Sequence, residues 1–433
     1  MVSDDRPNHP MTFIVQLEFS GLLDREALSK AIDDALQRHP LLRANIGRAK
    51  QNRDCWIDAG ESRTRLDFGD LDQPIQFIDT EYLNLRRETG VRIWVRHNSQ
   101  RAVVTTQFHH ATCDGIGAYQ FIGDILYAYA RETGETALEP QKAVSAERLR
   151  ERAKSSFDIN LMPQVRQRLR AWNEARQLLF RRAAVMRPSQ TADLHSLQTF
   201  PGVHSHIFEK NVYRDLRHIA QDRGQTVNDM LVEKLFVTLM QWQQANRPLL
   251  PSNSIVINMP LNLRSAADQD IPACNIVANH FIRCTTRQIQ RTQELRDKIA
   301  AEMLLAKHER NCSRFMEILA GGYHFIPRTM KVILFLRRSV ASTILSNTGD
   351  PTRQFYNDFP TSEGRLRCGS LILEDISGVP PMRPGTRVTI SIFTYRRRLK
   401  ICMRCDPTCF SEHDTQQLLK QYIRNIAEPA TEA

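Results

Sequence analysis

The side chains best suited to chemistry in this 433-residue chain cluster in one stretch, RAVVTTQFHHATCDGIGAYQF, which holds His109, His110, Cys113, Asp114 and Gly115. A histidine titrates near neutral pH, so it can take a proton from a nucleophile and return it to a leaving group. Alternation along a strand puts His110 on the side of Phe108 and Thr106, with His109 on the other, so the two rings are expected to differ in role. One faces a cleft while the other packs or hydrogen-bonds inside. Asp114 is expected to fix the loop by pairing with an arginine, and Gly115 to allow a tight turn where a side chain would obstruct the base or its channel. Two rival chemistries use the cysteines. Cys113 with His110 as base would make a nucleophile pair, and that is the less favoured reading. The run Cys402, Cys405, Cys409 lacks the second half of a zinc site, and His110 with Asp114 lacks a third ligand, so no metal is expected.

The elements that must carry these residues can be read from hydrophobic periodicity. MTFIVQLEFSG alternates as a strand, and LDREALSKAIDDALQRHP repeats apolar residues at helical spacing and stops before Pro40. VRIWVRH and RAVVTTQF read as strands, the second delivering the histidines, and IGAYQFIGDILYAYARETGE as a helix closed by Gly134. Residues 140–198 are arginine-rich and poor in glycine. A second mixed pattern follows, with strands in HSHIFEKNV and SIVINMPLNLR and helices in VYRDLRHIAQDRG and TVNDMLVEKLFVTLMQWQQAN. It ends in a hairpin, GTRVTISIFTYRRRLKICMRCDP, and a helix capped by Ser411 with Asp414 as the capping-box acid. The expected organisation is an α/β (α+β) chain with a lobe at 1–140, a basic helical crossover at 141–198 and a second lobe at 199–433.

The spacing H-H-x-x-x-D-G resembles the signature of the superfamily of chloramphenicol acetyltransferase, the condensation domains of nonribosomal peptide synthetases, plant acyltransferases, wax ester synthases and mycobacterial polyketide-associated acyltransferases. Further segments match in the expected order: DALQRHPLLRANI (34–46) is similar to the RHxxLR motif, TVNDMLVEKL to the T-x-N-D helix, SIVINMPLNLRS (254–265) to P-x-N-x-R, and LSNTGD (345–350) to S-N-x-G. The plant DFGWG motif is absent, and NDFPTSEG does not replace it, which favours the condensation-like branch. The resemblance implies two chloramphenicol-acetyltransferase-like lobes in a V-shaped pseudo-dimer with a channel between them and His110 at its centre as general base. It also implies that Asp114 is structural, paired with Arg43 or Arg264, that His109 and Gly115 support the motif, and that Ser346 and Asn347 are candidates for the oxyanion or the interface. The expected reaction moves an acyl group from an acyl-CoA or acyl-carrier-protein thioester to a hydroxyl or amine, with no cofactor beyond that substrate. The alternative is a non-catalytic module that holds an acylated carrier protein.

Composition bounds these readings. The chain exceeds the size at which single cores stop growing, so two lobes are expected. Hydrophobic residues make up 41%, charged 25% and aromatic 7%, as in a folded chain. Nine scattered cysteines fit reduced thiols, and the start MVSDDRPNHPMTF is unlike an export signal, so a cytoplasmic monomer is expected. The net charge of +11 comes with 48 Arg and 11 Lys. It suits an anionic donor or carrier and leaves peripheral membrane contact open through the basic stretch from Val165 to Arg187. No nucleic-acid motif accompanies it. The longest apolar runs, such as KVILFLRR, are too short to span a bilayer.

Overall fold

The computed structural model describes residues 2, 5–48, 54–59, 64–77, 80–136, 138–152, 182–189, 200–246, 249, 253–308, 339–355 and 359–428. Strand β1 (Thr12–Ser20) directs Phe13, Val15, Leu17 and Phe19 into a core. Against it, helix α1 (Arg25–Arg38) buries Ala27, Leu28, Ala31, Ile32, Ala35 and Leu36, the three- and four-residue spacing that gives a helix one apolar face. Asp24 caps α1, its carboxylate accepting from the N–H groups of Glu26 and Ala27 at 3.0 Å. Burying each large apolar side chain of this face contributes about 1.5–3 kcal/mol.

Strands β2 (Ala44–Arg48) and β3 (Asp54–Asp58) form a separate ribbon, and β4 (Arg65–Asp70), β5 (Val91–His97) and β6 (Arg101–His109) follow. Helix α2 (Gly115–Glu132) is capped by the motif's own Asp114, which accepts from Gly117 N–H at 2.9 Å, and it ends before Gly134 in a left-handed conformation. The second half contains β7 (His204–Ile207), α3 (Lys210–Asp222), α4 (Val227–Asn246), β8 (Ser254–Asn262), β9 (Val277–Thr285), α5 (Thr286–Ile289) and α6 (Thr292–His308). It continues through β10 (Thr343–Gly349), β11 (Thr361–Ser362), β12 (Arg365–Cys368), β13 (Leu371–Val379), β14 (Val388–Tyr395), β15 (Arg398–Cys405) and α7 (Glu412–Ala427).

Two sheets organise these elements. One has seven strands in the order β11-β12-β13-β1-β6-β5-β4, the other six in the order β7-β15-β14-β10-β8-β9. Each has its own apolar core with helices packed against it. The sheets cut across the chain order in one place. Residues 361–379, expected within the second lobe at 199–433, pair in the first sheet, where β13 runs antiparallel to β1 from Ile14↔Val379 to Ser20↔Ile372. Side chains join the halves as well: Lys400 on β15 pairs with Asp375 on β13, and Arg404 donates two bonds of 2.9 and 2.8 Å to the Glu81 carboxylate.

Most of the expected basic crossover lies outside the described residues, as do KVILFLRR and Cys312. At α7, Ser411 accepts from Asp414 N–H at 3.0 Å, but the reciprocal half of the capping box is not made. The Asp414 carboxylate is buried instead, with no hydrogen-bond partner among the described residues. Cys402 and Cys405 sit on opposite faces of β15 and enter different cores. No three His, Cys, Asp or Glu side chains gather as a metal-ligand set among the described residues.

Candidate active site

The motif occupies the turn between the end of β6 and the start of α2. His109 N–H donates to Gly90 O at 2.9 Å and His110 N–H to Met11 O at 2.7 Å, so the backbone is clasped from both sides as the strand ends. The two rings diverge, as alternation requires. His109 is fully buried: its Nδ1 accepts from Ala111 N–H at 3.1 Å, and its Nε2 lies 3.1 Å from the Asp5 carboxylate. The His110 ring packs edge-on to Phe13, with centroids 5.3 Å apart, and Phe13 stacks on Phe108 at the same spacing.

His110 opens onto a cavity of about 300 Å³. Phe13, Ile14 and Val15 of β1, Gly115, Ile116 and Tyr119 of α2, and Val379 form one side. Pro260 and Asn262 of β8, Val277 of β9, Ser346, Asn347 and Thr348 of β10, and Ser391 and Phe393 of β14 form the other. Both sheets therefore contribute wall, and most of it is apolar. Burial lowers the basicity of His110, while the carboxylate of Asp114 and the ring's own backbone carbonyl push the other way without overcoming it. The ring is neutral at neutral pH and able to accept a proton.

Asp114 is almost fully buried and makes five hydrogen bonds among the described residues. Its own N–H donates to Cys274 O at 3.2 Å, its carbonyl accepts from Ala118 N–H at 2.9 Å, and its carboxylate accepts from Gly117 N–H, from Ile276 N–H at 2.7 Å and from Arg264 Nη1 at 2.7 Å. Arg264 also donates to Cys274 O at 2.8 Å. Of the two arginines expected beside Asp114, Arg264 occupies the place. Arg43 does not: it pairs with Asp58 at 3.2 Å, where both side chains are exposed, because its position beside the β2–β3 ribbon turns it outward. Gly115 also differs in part from expectation. It has no positive φ, so the turn does not require it, and a Cβ added there would meet nothing within 4 Å and enter the cavity. The close approach falls on Gly117, whose added Cβ would lie 2.9 Å from Cys274 O.

Ser346 and Asn347 both line the cavity. Asn347 ties β10 to α4, its Nδ2 donating to Asn228 Oδ1 at 2.8 Å and its Oδ1 accepting from Gly349 N–H at 3.0 Å. The S-N-x-G and T-x-N-D segments thus meet each other. The RHxxLR segment meets the other half of the chain through His39, fully buried, whose Nδ1 accepts from Ala273 N–H at 2.8 Å and whose Nε2 lies 3.0 Å from Asp124. Arg38 donates to the same carboxylate at 2.7 Å. Cys113 is buried in the first core, and burial pushes its thiol well above the ordinary range, which argues against a nucleophile.

Sequence reasoning missed Asn275, Ser391, Tyr119 and Asp124. Asp124 had a signal, a lone carboxylate inside the apolar run FIGDILYAYA. For Asn275, in IPACNIVA, only its polarity among apolar neighbours stood out.

Two helix-backed sheets, one of seven strands and one of six, with a histidine-bearing cavity walled by both, define the fold of the chloramphenicol-acetyltransferase-like acyltransferases and condensation domains. Residues 8–271 match the family model described as Condensation domain, and the chain belongs to that family. Two uncharacterised proteins of Mycobacterium tuberculosis, from strains CDC 1551 / Oshkosh and ATCC 25618 / H37Rv, are 23% identical over 354 residues, 77% of this chain and 78% of theirs. Among solved structures, the TRI3 trichothecene 15-O-acetyltransferase of Fusarium sporotrichioides has a TM-score of 0.68 at 11% identity, covering 96% of this chain and 90% of its own. A variant of the starter condensation domain of rhizomide synthetase, in complex with C8-CoA, has a TM-score of 0.62 at 12% identity, covering 98% and 90%. The first condensation domain of the calcium-dependent antibiotic synthetase, with a substrate analogue, has a TM-score of 0.66 at 14% identity, covering 98% and 91%.

Proposed function

We propose that the chain is an acyltransferase that moves an acyl group from a thioester, carried by coenzyme A or by a carrier protein's phosphopantetheine, to a hydroxyl or amine acceptor. The observation that carries this reading is the His110 ring exposed to a mostly apolar cavity between the two sheets, with the motif around it fixed by the buried Asp114–Arg264 pair. The complex of a structural neighbour with C8-CoA supports an acyl thioester as donor, and the acetyltransferase neighbour supports a hydroxyl acceptor.

In this mechanism His110 Nε2 takes the acceptor's proton as its oxygen or nitrogen attacks the thioester carbonyl. The carbonyl π electrons move to oxygen, and a hydrogen-bond donor must meet that oxyanion. Ser346 and Ser391, on adjacent paired strands of the cavity wall, and Asn347 beside them are the donors we put forward for it. Collapse of the intermediate re-forms the carbonyl, breaks the C–S bond and returns the proton from His110 to the departing thiolate.

The test is His110→Ala assayed against a panel of acyl-CoA donors and acyl-carrier proteins, with free thiol as the readout and a thermal melt as the folding control. Loss of transfer with an unchanged melt is the expected result; full activity in the folded variant would falsify the mechanism. The acid limb of kcat/KM is expected below the ordinary imidazole value of about 6.5, because burial lowers the basicity of this ring.

A further inference from the structure

We propose that Asn275 is the positioning residue of His110, reaching it from the connection into β9 and holding the ring with Nε2 toward the cavity. The proposal rests on His110 as the reacting group of the transfer proposed above, and its first test does not use activity.

Asn275 Nδ2 lies 2.7 Å from the His110 backbone carbonyl and 2.7 Å from His110 Nδ1. A carbonyl only accepts, so the nitrogen of the amide must face it, and the amide oxygen is left to accept from Val277 N–H at 3.4 Å. Asn275 therefore has one orientation. It grips the backbone and the ring of the same histidine, which restrains the ring about both of its side-chain torsions. With Nδ1 occupied on the protein side, Nε2 is the nitrogen left for the cavity. For Nε2 to take a proton, the proton of the neutral ring must sit on Nδ1, where the ring's own backbone carbonyl accepts it, and Asn275 Nδ2 donates to that same carbonyl and holds it in place.

The residues on either side of Asn275 are themselves fastened to the motif. Cys274 O accepts from Asp114 N–H and from Arg264, and Ile276 N–H donates to the Asp114 carboxylate. Asp114 forms no bond to the His110 side chain among those described above. It fixes the backbone on both sides of Asn275, and Asn275 reaches back to the ring. The positioning of the base thus runs from Asp114 through the other half of the chain. A side chain held this way is set before substrate arrives, which is what transfer chemistry requires of its base.

The first test is ¹⁵N NMR of protein labelled in its imidazole rings, at a pH where His110 is neutral, with its signals assigned by their loss in His110→Gln. In the wild type one defined ring environment is expected. In Asn275→Ala the two ring shifts should move toward those of free histidine. In Asn275→Asp, which keeps the shape but replaces the donor by a carboxylate that accepts from Nδ1–H, they should move toward those of the protonated imidazolium. Ring shifts that stay at the wild-type values in both folded variants would overturn the proposal. If the alanine variant does not fold, the aspartate variant carries the test. The second test uses the donor and acceptor that the wild type turns over: kcat should fall about 10–100-fold in both variants with KM within about 2-fold. A rise in KM with kcat unchanged would make Asn275 a substrate contact and also overturn it. If the wild type turns over no donor, the reading as a transferase fails, and the ring shifts still decide this one.

Discussion

Replacing Arg264 by methionine removes one partner of an ion pair in which Arg264 is 8% and Asp114 1% exposed. The arginine also donates to Cys274 O, so the change leaves a buried carboxylate short of its cation and a carbonyl short of a donor. Breaking such a pair from one side costs about 3–5 kcal/mol. Asp114 keeps the N–H bonds from Gly117 and Ile276, which places the expected loss near the lower end, at about 3 kcal/mol. With an unfolding entropy of about 2 cal/mol/K per residue, 433 residues melting as one unit give about 0.9 kcal/mol/K. The midpoint should then fall by about 3 °C, and by roughly twice that if only half the chain takes part in the transition. Scanning calorimetry of wild type, R264M and the double variant D114N/R264M measures this directly. The double variant should recover part of the loss, because no buried charge is left unpaired. An R264M midpoint within about 1 °C of wild type would show that the pair does not hold the motif in place.

Two glycines of α2 should respond oppositely. Gly117→Ala drives a Cβ to 2.9 Å from Cys274 O and 3.0 Å from Cys274 N, backbone atoms that cannot swing aside, so a loss of about 1–3 kcal/mol is expected in a chemical denaturation curve. Gly115→Ala meets open space, so stability should hold or rise slightly while the narrowed cavity changes kinetics; equal melting losses in both variants would contradict this. Among the described cysteines, Cys55 and Cys409 are the two that are not fully buried, and burial with the nearby Asp406 carboxylate pushes the Cys409 thiol up to about 12. A thiol reagent on native protein, read by peptide mapping, should therefore label Cys55 well ahead of Cys113, and Cys113→Ser should keep transfer activity; labelling of Cys113 at the rate of Cys55 would reverse that assignment.

Local patterning made much of the fold legible. The alternation of MTFIVQLEFSG and the apolar spacing of α1 belong to single segments, and Asp114 and Gly134 mark the two ends of α2. Burial is decided residue by residue in these elements, so the sequence carries the information. Pairing between distant segments is different. Arg43 and Arg264 both stand in matching motifs, and only the path of the chain turns one toward Asp114 and the other to solvent beside Asp58. Nothing in RLRCGSLILEDISGV says that it pairs with β1 rather than with the strands that follow it. Asn275 is one polar residue in an apolar run, and its importance depends on a contact across 165 positions of chain. The candidate site was legible as far as the motif, and its support from the other half of the chain was not.

The place of β13 beside β1 bears on how the protein is made and how it can be recombined. β1 lies inside its sheet, with β6 on one side and β13 on the other, so a nascent chain that has emerged only to residue 140 presents β1 with a bare edge. That edge stays open to pairing with other chains until residue 379 has been synthesised, some 240 residues later. The first lobe is completed by the second rather than before it. A chimera that exchanges the first lobe between relatives at a single junction near residue 140 would separate β1 from its partner strand. One that also carries residues 361–379 across would keep the sheet, and with it the wall of the cavity, intact.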